Sequence, residues 1–136
     1  MSERPLSILV VDDDDIDVMT VKRCFAKANV QNPVVVARDG IEALTALRSG
    51  TFERLPLVLL DINMPRMNGI ELLREIRRDP ILSDLKVVVL TTSNEDRDRV
   101  NANRLGITSY LVKPVTFSSF ADSVSGLGTA WNLVTA

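Results

Sequence analysis

The residues of this sequence best equipped for chemistry are the acidic run Asp12 to Asp15, Asp61, Thr91 and Lys113. They bring only carboxylates, a hydroxyl and an ammonium group. The chain has no histidine, which removes the commonest metal ligand, the commonest general base and any phosphohistidine. Asp12, Asp13 and Asp61 would repel one another if brought together, so such a cluster requires compensating positive charge. A hard divalent cation suits an all-oxygen donor set without His or Cys; Mg2+ is the expected ion, with Mn2+ or Ca2+ able to take its place. A helix N-terminus, the role expected of Asp14 and Asp15, does not by itself account for four consecutive acids. Beside a cation, Asp61 could attack a phosphorus centre and become an aspartyl phosphate. Viewed alone it could equally cap the next helix, expected to carry Pro65 in its first turn. Lys113 could reach a phosphate as a point charge, and Thr91 could donate a hydroxyl hydrogen bond to it. The joint arrangement carries the reading, since each residue alone has an ordinary structural explanation.

The elements that must position these groups follow from the apolar pattern. Short apolar runs at Ser7 to Val11, Val34 to Ala37, Leu57 to Leu60, Val87 to Leu90 and Tyr110 to Val112 read as strands. Between them, apolar residues recur at helical spacing: Val18, Val21 and Phe25; Ile41, Leu44 and Leu47; Ile70, Leu73 and Ile76. A polar helix is expected over 95–105, and a last helix from near Thr116. Strands that are apolar throughout need cover on both faces, which predicts an α/β fold: a doubly wound five-stranded parallel sheet sandwiched by five helices. Ligands of such sheets bind beyond the carboxyl ends of the strands. The reactive groups fall at those ends.

With 136 residues, 46% of them hydrophobic, the chain supports one core, so residues 1–136 are expected to form a single domain. A net charge of −2 supplies no general attraction to nucleic acid or an anionic membrane. No apolar run approaches the roughly 20 residues of a membrane span, and the N-terminus lacks a signal-peptide core, so a cytoplasmic location is expected. The single Cys24 falls in an apolar helical pattern and reads as a buried thiol.

Four blocks, SILVVDDD, LLDINMPRMNG, VVVLTTS and YLVKP, resemble in order and spacing the receiver domain of bacterial two-component response regulators, a flavodoxin-like fold. The resemblance spans nearly the whole chain. It implies that Asp61 is the phosphoacceptor, and that Mg2+ is held by Asp13, Asp61 and the backbone carbonyl of Asn63, with Asp12 acting through a metal-bound water. It further implies that Thr91 is the switch hydroxyl, Lys113 the phosphate-contacting lysine and Tyr110 the aromatic rotamer switch, while Asn63 and Ser93 tune the lifetime of the phosphoryl group. The donor would be a phosphohistidine on a partner sensor histidine kinase. The surface formed by the fourth predicted helix, the fifth strand and the last helix would shift on phosphorylation. Such a chain is a signalling domain, not an enzyme acting on separate substrates. More narrowly, the link before Asn32-Pro33, the TTSNEDRDR segment and the extended tail resemble single-domain regulators that accompany bacterial phytochromes.

The tail carries its own signal. Phe117, Phe120, Val124, Leu127, Trp131 and Val134 step by three and four residues, and Asp122 is the only charge after Ser118. A helix packed on its own sheet accounts for the first three. Leu127, Trp131, Leu133 and Val134 then lack cover, which suggests that 126–136 extend the last helix into a homodimer interface. Gly126 and Gly128 count against a regular helix there. With no output segment in the pattern, the expected output is contact with a downstream protein, or service as a phosphoryl relay or sink for another histidine kinase. Three rivals fare worse. Asp12 and Asp14 match the spacing of haloacid-dehalogenase-type phosphatases, but that reading leaves Asp61 and its sequel unexplained and the chain too short for a cap domain. A flavodoxin-like electron carrier needs a phosphate loop where this chain has four acids. A receiver-like module that binds partners without phosphorylation would not need the complete residue set.

Overall fold

Three strands, Ile8–Val11 (β1), Leu57–Asp61 (β3) and Val87–Thr91 (β4), are buried at every residue. They form the middle of a five-stranded sheet whose outer strands are Val34–Ala37 (β2) and Ser109–Val112 (β5), in the order β2-β1-β3-β4-β5 and parallel throughout. The computed structural model describes residues 6–52, 54–64, 66–92, 98, 101, 104–113 and 115–127, with the side chains of 123–127 excepted. Among these residues four helices are delimited: Asp15–Lys27 (α1), Gly40–Arg48 (α2), Gly69–Arg78 (α3) and Phe117–Leu127 (α4). The expected helix over 95–105 lies mostly outside them, although Asp98 and Asn101 are helical.

Period-two alternation divides the strand side chains between two cores. Leu9, Val11, Val58, Leu60, Val87 and Val89 pack with the apolar faces of α2 and α3. Ile8, Val10, Leu57, Leu59, Val88 and Leu90 pack with α1 and with Phe120 of α4. Phe25 and Phe120 meet edge to face, centroids 5.2 Å apart, and join those two helices. Cys24 is buried among them, and burial pushes its thiol pKa up, as suits a structural cysteine.

Two strands run one residue further than their apolar runs, so Asp61 and Thr91 are themselves the last residues of β3 and β4. Ladder pairing therefore reaches the reactive residues. Helix α3, by contrast, begins later than expected. Asn68 and Glu71 form a reciprocal capping box, which sets the first helical residue at Gly69; Pro65, expected in the first turn, lies outside the described residues.

That loop follows Asp61 and is tied down from two sides. The Arg66 guanidinium pairs with Asp39, with Nε 2.8 Å from Oδ2, and the Gly40 N–H donates to the Met67 carbonyl at 3.1 Å. Asp39 also accepts from the Glu42 N–H at 2.8 Å as the N-cap of α2. At the far side, the Gly69 N–H donates to the Ile62 carbonyl. A Cβ on Gly69 would stand 2.5 Å from the Asp61 carbonyl oxygen and 2.7 Å from Ile62 Cα. Backbone cannot swing aside as a side chain can. At the other end of α3, Arg77 donates to the carbonyls of Ser83, Leu85, Leu105 and Gly106, pinning the segments that lead into β4 and β5.

Gly69→Ala is expected to lower stability by about 1–3 kcal/mol through this clash, read from a denaturant midpoint. Asp39→Ala should cost about 1 kcal/mol through loss of the cap. The Glu42 N–H, and then Arg66, hold the Asp39 carboxyl below its ordinary pKa. Its contribution is therefore full above the ordinary carboxylate value of about 4 and is lost as pH falls through the lower folded value. Chemical denaturation of both proteins from pH 7 to pH 3 should show the gap closing at the acid end.

Candidate functional site

At the carboxyl edge, β1 and β3 lie side by side, with Val11 opposite Leu60, so Asp12 and Asp61 are delivered to neighbouring positions. The strand order reverses its winding between these two strands, which is where ligands of doubly wound sheets bind. Asp12 is fully buried. Its N–H donates to the Ala37 carbonyl at 3.0 Å, and its Oδ1 accepts from the Asp14 N–H at 2.9 Å. Asp61 is 5% exposed, and its Oδ1 accepts from the Asn63 N–H at 3.1 Å. Asp13 is exposed. One carboxylate oxygen from each of Asp12, Asp13 and Asp61 lies within 4.8 Å of the others.

The remaining acids of the run do other work. Asp14 caps α1, accepting from the N–H groups of Ile16 and Asp17. Asp15, expected to share that cap, instead pairs with Arg38 across the surface and complements the positive end of the helix from its first turn.

Lys113 enters from the end of β5, where its backbone N–H donates to the Thr91 carbonyl at 2.8 Å. Its side chain is 10% exposed and its Nζ meets three carboxylates: Asp17 Oδ2 at 2.7 Å, Asp12 Oδ2 at 3.0 Å and Asp61 Oδ2 at 3.1 Å. Only the approach to Asp17 has hydrogen-bond geometry. The other two are ion pairs, and Asp12 Oδ2 is buried without a hydrogen bond.

Burial governs the electrostatics. It pushes the Asp12 carboxyl up to about 6, against the lowering effect of the Asp14 N–H and Lys113. It also raises Asp61, opposed by Lys113 and the Asn63 N–H and reinforced by the Asp13 charge. Burial alone would lower Lys113, but the bond to Asp17 and the close charges of Asp12 and Asp61 outweigh it and raise its pKa. Three carboxylates thus surround one ammonium group, with Asp13 a further acid beside two of them. The excess negative charge, the hard oxygen donors and the unbonded Asp12 Oδ2 fit a divalent cation on Asp12, Asp13 and Asp61.

Thr91 is buried at the end of β4, one residue past the register partner of Asp61. Half-buried Tyr110 packs against the core on the α2–α3 side, and its hydroxyl donates to Asn101 Oδ1. It therefore touches the 95–105 segment. Asn63 is exposed, two residues beyond Asp61. Leu127 ends α4. The Leu127 side chain, Ser93, Pro114, Trp131, Leu133 and Val134 lie outside the described residues. Asp17 is the site residue that sequence reasoning missed. No local pattern marks it, because its partner Lys113 lies 96 residues away in the chain. Asp39 was missed as well, although an Asp before Gly40 and an apolar helical run is an N-cap pattern.

Comparison with known proteins agrees with this geometry. Residues 8–125 match the family described as the response regulator receiver domain. The curated response regulator Rcp1 of Synechocystis sp. is 33% identical over 134 residues, covering 96% of this chain and 91% of that protein. Among solved structures, the bacteriophytochrome response regulator RtBRR superposes with a TM-score of 0.84 at 35% identity, covering 93% of this chain and 79% of that one. The phosphorylated cyanobacterial phytochrome response regulator RcpA superposes with a TM-score of 0.77 at 33% identity, covering 95% and 94%. With its acidic cluster and lysine on the carboxyl edge of a five-stranded parallel sheet, the chain belongs to the response regulator receiver domain family of two-component signalling.

Proposed function

We propose that this receiver takes a phosphoryl group on Asp61 and signals by the resulting change in charge. The observation that carries the reading is Asp61 itself, buried at the end of β3 with Lys113 Nζ 3.1 Å from Oδ2 and two further acids alongside. In the transfer, an Asp61 carboxylate oxygen forms a bond to phosphorus while the bond from phosphorus to the donor breaks and the donor keeps its electron pair. For a sensor histidine kinase the departing group is the imidazole of its phosphohistidine, a residue type this chain lacks. Asp13, Asp61 and the Asn63 carbonyl would hold the cation, with Asp12 acting through water. Mg2+ is the proposed ion, and Mn2+ or Ca2+ could replace it. When bound, such an ion supplies positive charge against the phosphoryl oxygens. Lys113 supplies a second positive charge, already in place.

The product carries about 1.5–2 negative charges where the carboxylate carried one. Thr91, at the end of the neighbouring strand, is the hydroxyl placed to answer that change, and Tyr110 connects β5 to the 95–105 segment through Asn101. The proposed output surface is that segment with β5 and α4. Asn63 and Ser93 are assigned to tuning the phosphoryl lifetime. The proposed activity is confined to the chain's own phosphorylation and dephosphorylation. A bacteriophytochrome-type sensor kinase is the proposed donor, supported by the names of the relatives RtBRR and RcpA. No described helix is long and apolar enough to cross a membrane.

Incubation with acetyl phosphate and Mg2+, followed by intact-mass measurement, should show one labile phosphoryl adduct on wild type and none on Asp61→Asn. An unmodified wild type would remove the central claim. We further propose that residues 1–136 act as one receiver unit and pair through 126–136, using Leu127, Trp131, Leu133 and Val134. The family match ends at residue 125, while α4 runs on to Leu127 towards an apolar tail. Sedimentation at high micromolar concentration should show a dimer that Trp131→Ala weakens. A monomeric wild type, with and without a phosphoryl analogue, would refute the pairing.

A further inference from the structure

The Lys113 ammonium has three hydrogens and three carboxylate neighbours, but it does not share itself equally among them. Its shortest contact, and the only one with hydrogen-bond geometry, is to Asp17 at 2.7 Å. Asp12 and Asp61 receive ion pairs at 3.0 and 3.1 Å. Asp17 stands apart from the three acids that cluster for a cation. It belongs to the first turn of α1, where its N–H is engaged by the Asp14 cap. Its carboxylate is therefore held on a fixed backbone and remains available to Lys113 whatever occupies the other acids.

We propose that Asp17 is a positioning residue that holds Lys113 in the unmodified protein and gives it up to the phosphoryl group on Asp61. The inference rests on Asp61 as the phosphoacceptor and adds two consequences of opposite sign. Before modification, Asp17 draws the ammonium away from Asp12 and Asp61, whose oxygens a divalent cation also needs. Without Asp17, Lys113 presses harder on those two carboxylates and competes with the cation. After modification, the phosphoryl oxygens must take a hydrogen bond from Lys113 that Asp17 now receives. Without Asp17, that donor is free and the phosphoryl group is held more tightly.

The test compares wild type, Asp17→Asn and Asp15→Asn in two titrations: Mg2+ alone by calorimetry, and beryllofluoride, an analogue of the aspartyl phosphate, at saturating Mg2+. Asp15→Asn removes the same charge from the same helical turn, from a residue whose partner is Arg38, and so measures the through-space effect alone. Coupling between directly contacting residues predicts that Asp17→Asn weakens Mg2+ binding and tightens beryllofluoride binding, each by about threefold to tenfold beyond the Asp15→Asn control. In a Lys113→Ala background, the excess Mg2+ effect of Asp17→Asn should disappear. A merely structural role would weaken both ligands together. Equal behaviour of Asp17→Asn and Asp15→Asn, a shift of both affinities in one direction, or an excess that persists without Lys113 would overturn the inference. Those outcomes leave Asp61 intact as acceptor, whereas failure of wild type to take beryllofluoride would bring down that reading and this one with it.

Discussion

Lys113 places one positive charge among carboxylates that burial would otherwise drive towards protonation, and the other features of the carboxyl edge depend on that contact. Asp12 is fully buried and Asp61 nearly so, an arrangement that costs several kcal/mol per ion when charge goes unpaired. The ammonium satisfies both, with Asp17 as its third neighbour. Because three acids share one lysine and Asp13 stands beside two of them, the edge keeps an excess of negative charge. That excess attracts a divalent cation and makes the site sensitive to one more anionic group.

The sheet makes this contact possible. Asp12, Asp61, Thr91 and Lys113 come from four parts of the chain, and parallel pairing in matched register brings them to one edge. Thr91 and Lys113 are joined through the backbone as well as by proximity, since the Lys113 N–H donates to the Thr91 carbonyl. The loop after Asp61 is held by Asp39, Gly40 and Gly69, so α2 and α3 both fix the surroundings of the Asp61 carboxylate.

Strand and helix positions were legible because burial on both faces leaves an unbroken apolar run, and burial on one face leaves a helical stripe. The cores contain most of the residues those patterns name, from Val18, Val21 and Phe25 of α1 to Ile70, Leu73 and Ile76 of α3, but Ile41 and the edge-strand residues Val35 and Val112 are exposed, because they lie at the margins of the layers. The residues gathered on the carboxyl edge were legible because acids, a hydroxyl and a lysine at the ends of apolar strands have no core role to explain them. Helix starts were less so. Pro65 resembles a first-turn residue, but the Asn68–Glu71 capping box competes with it and sets the boundary four residues later.

What the sequence by itself determined was the layer architecture and the set of groups on the carboxyl edge, because periodicity and strand ends are local properties of the chain. Which acids share the lysine was decided only by tertiary structure. Asp17 and Lys113 are 96 residues apart, and nothing local to either marks them as partners. The division of labour within the acidic run was settled in the same way: Asp14 caps, Asp15 finds Arg38, and Asp12 turns inward to Lys113. Neighbouring residues of a single type acquire different roles because the fold places a different partner beside each.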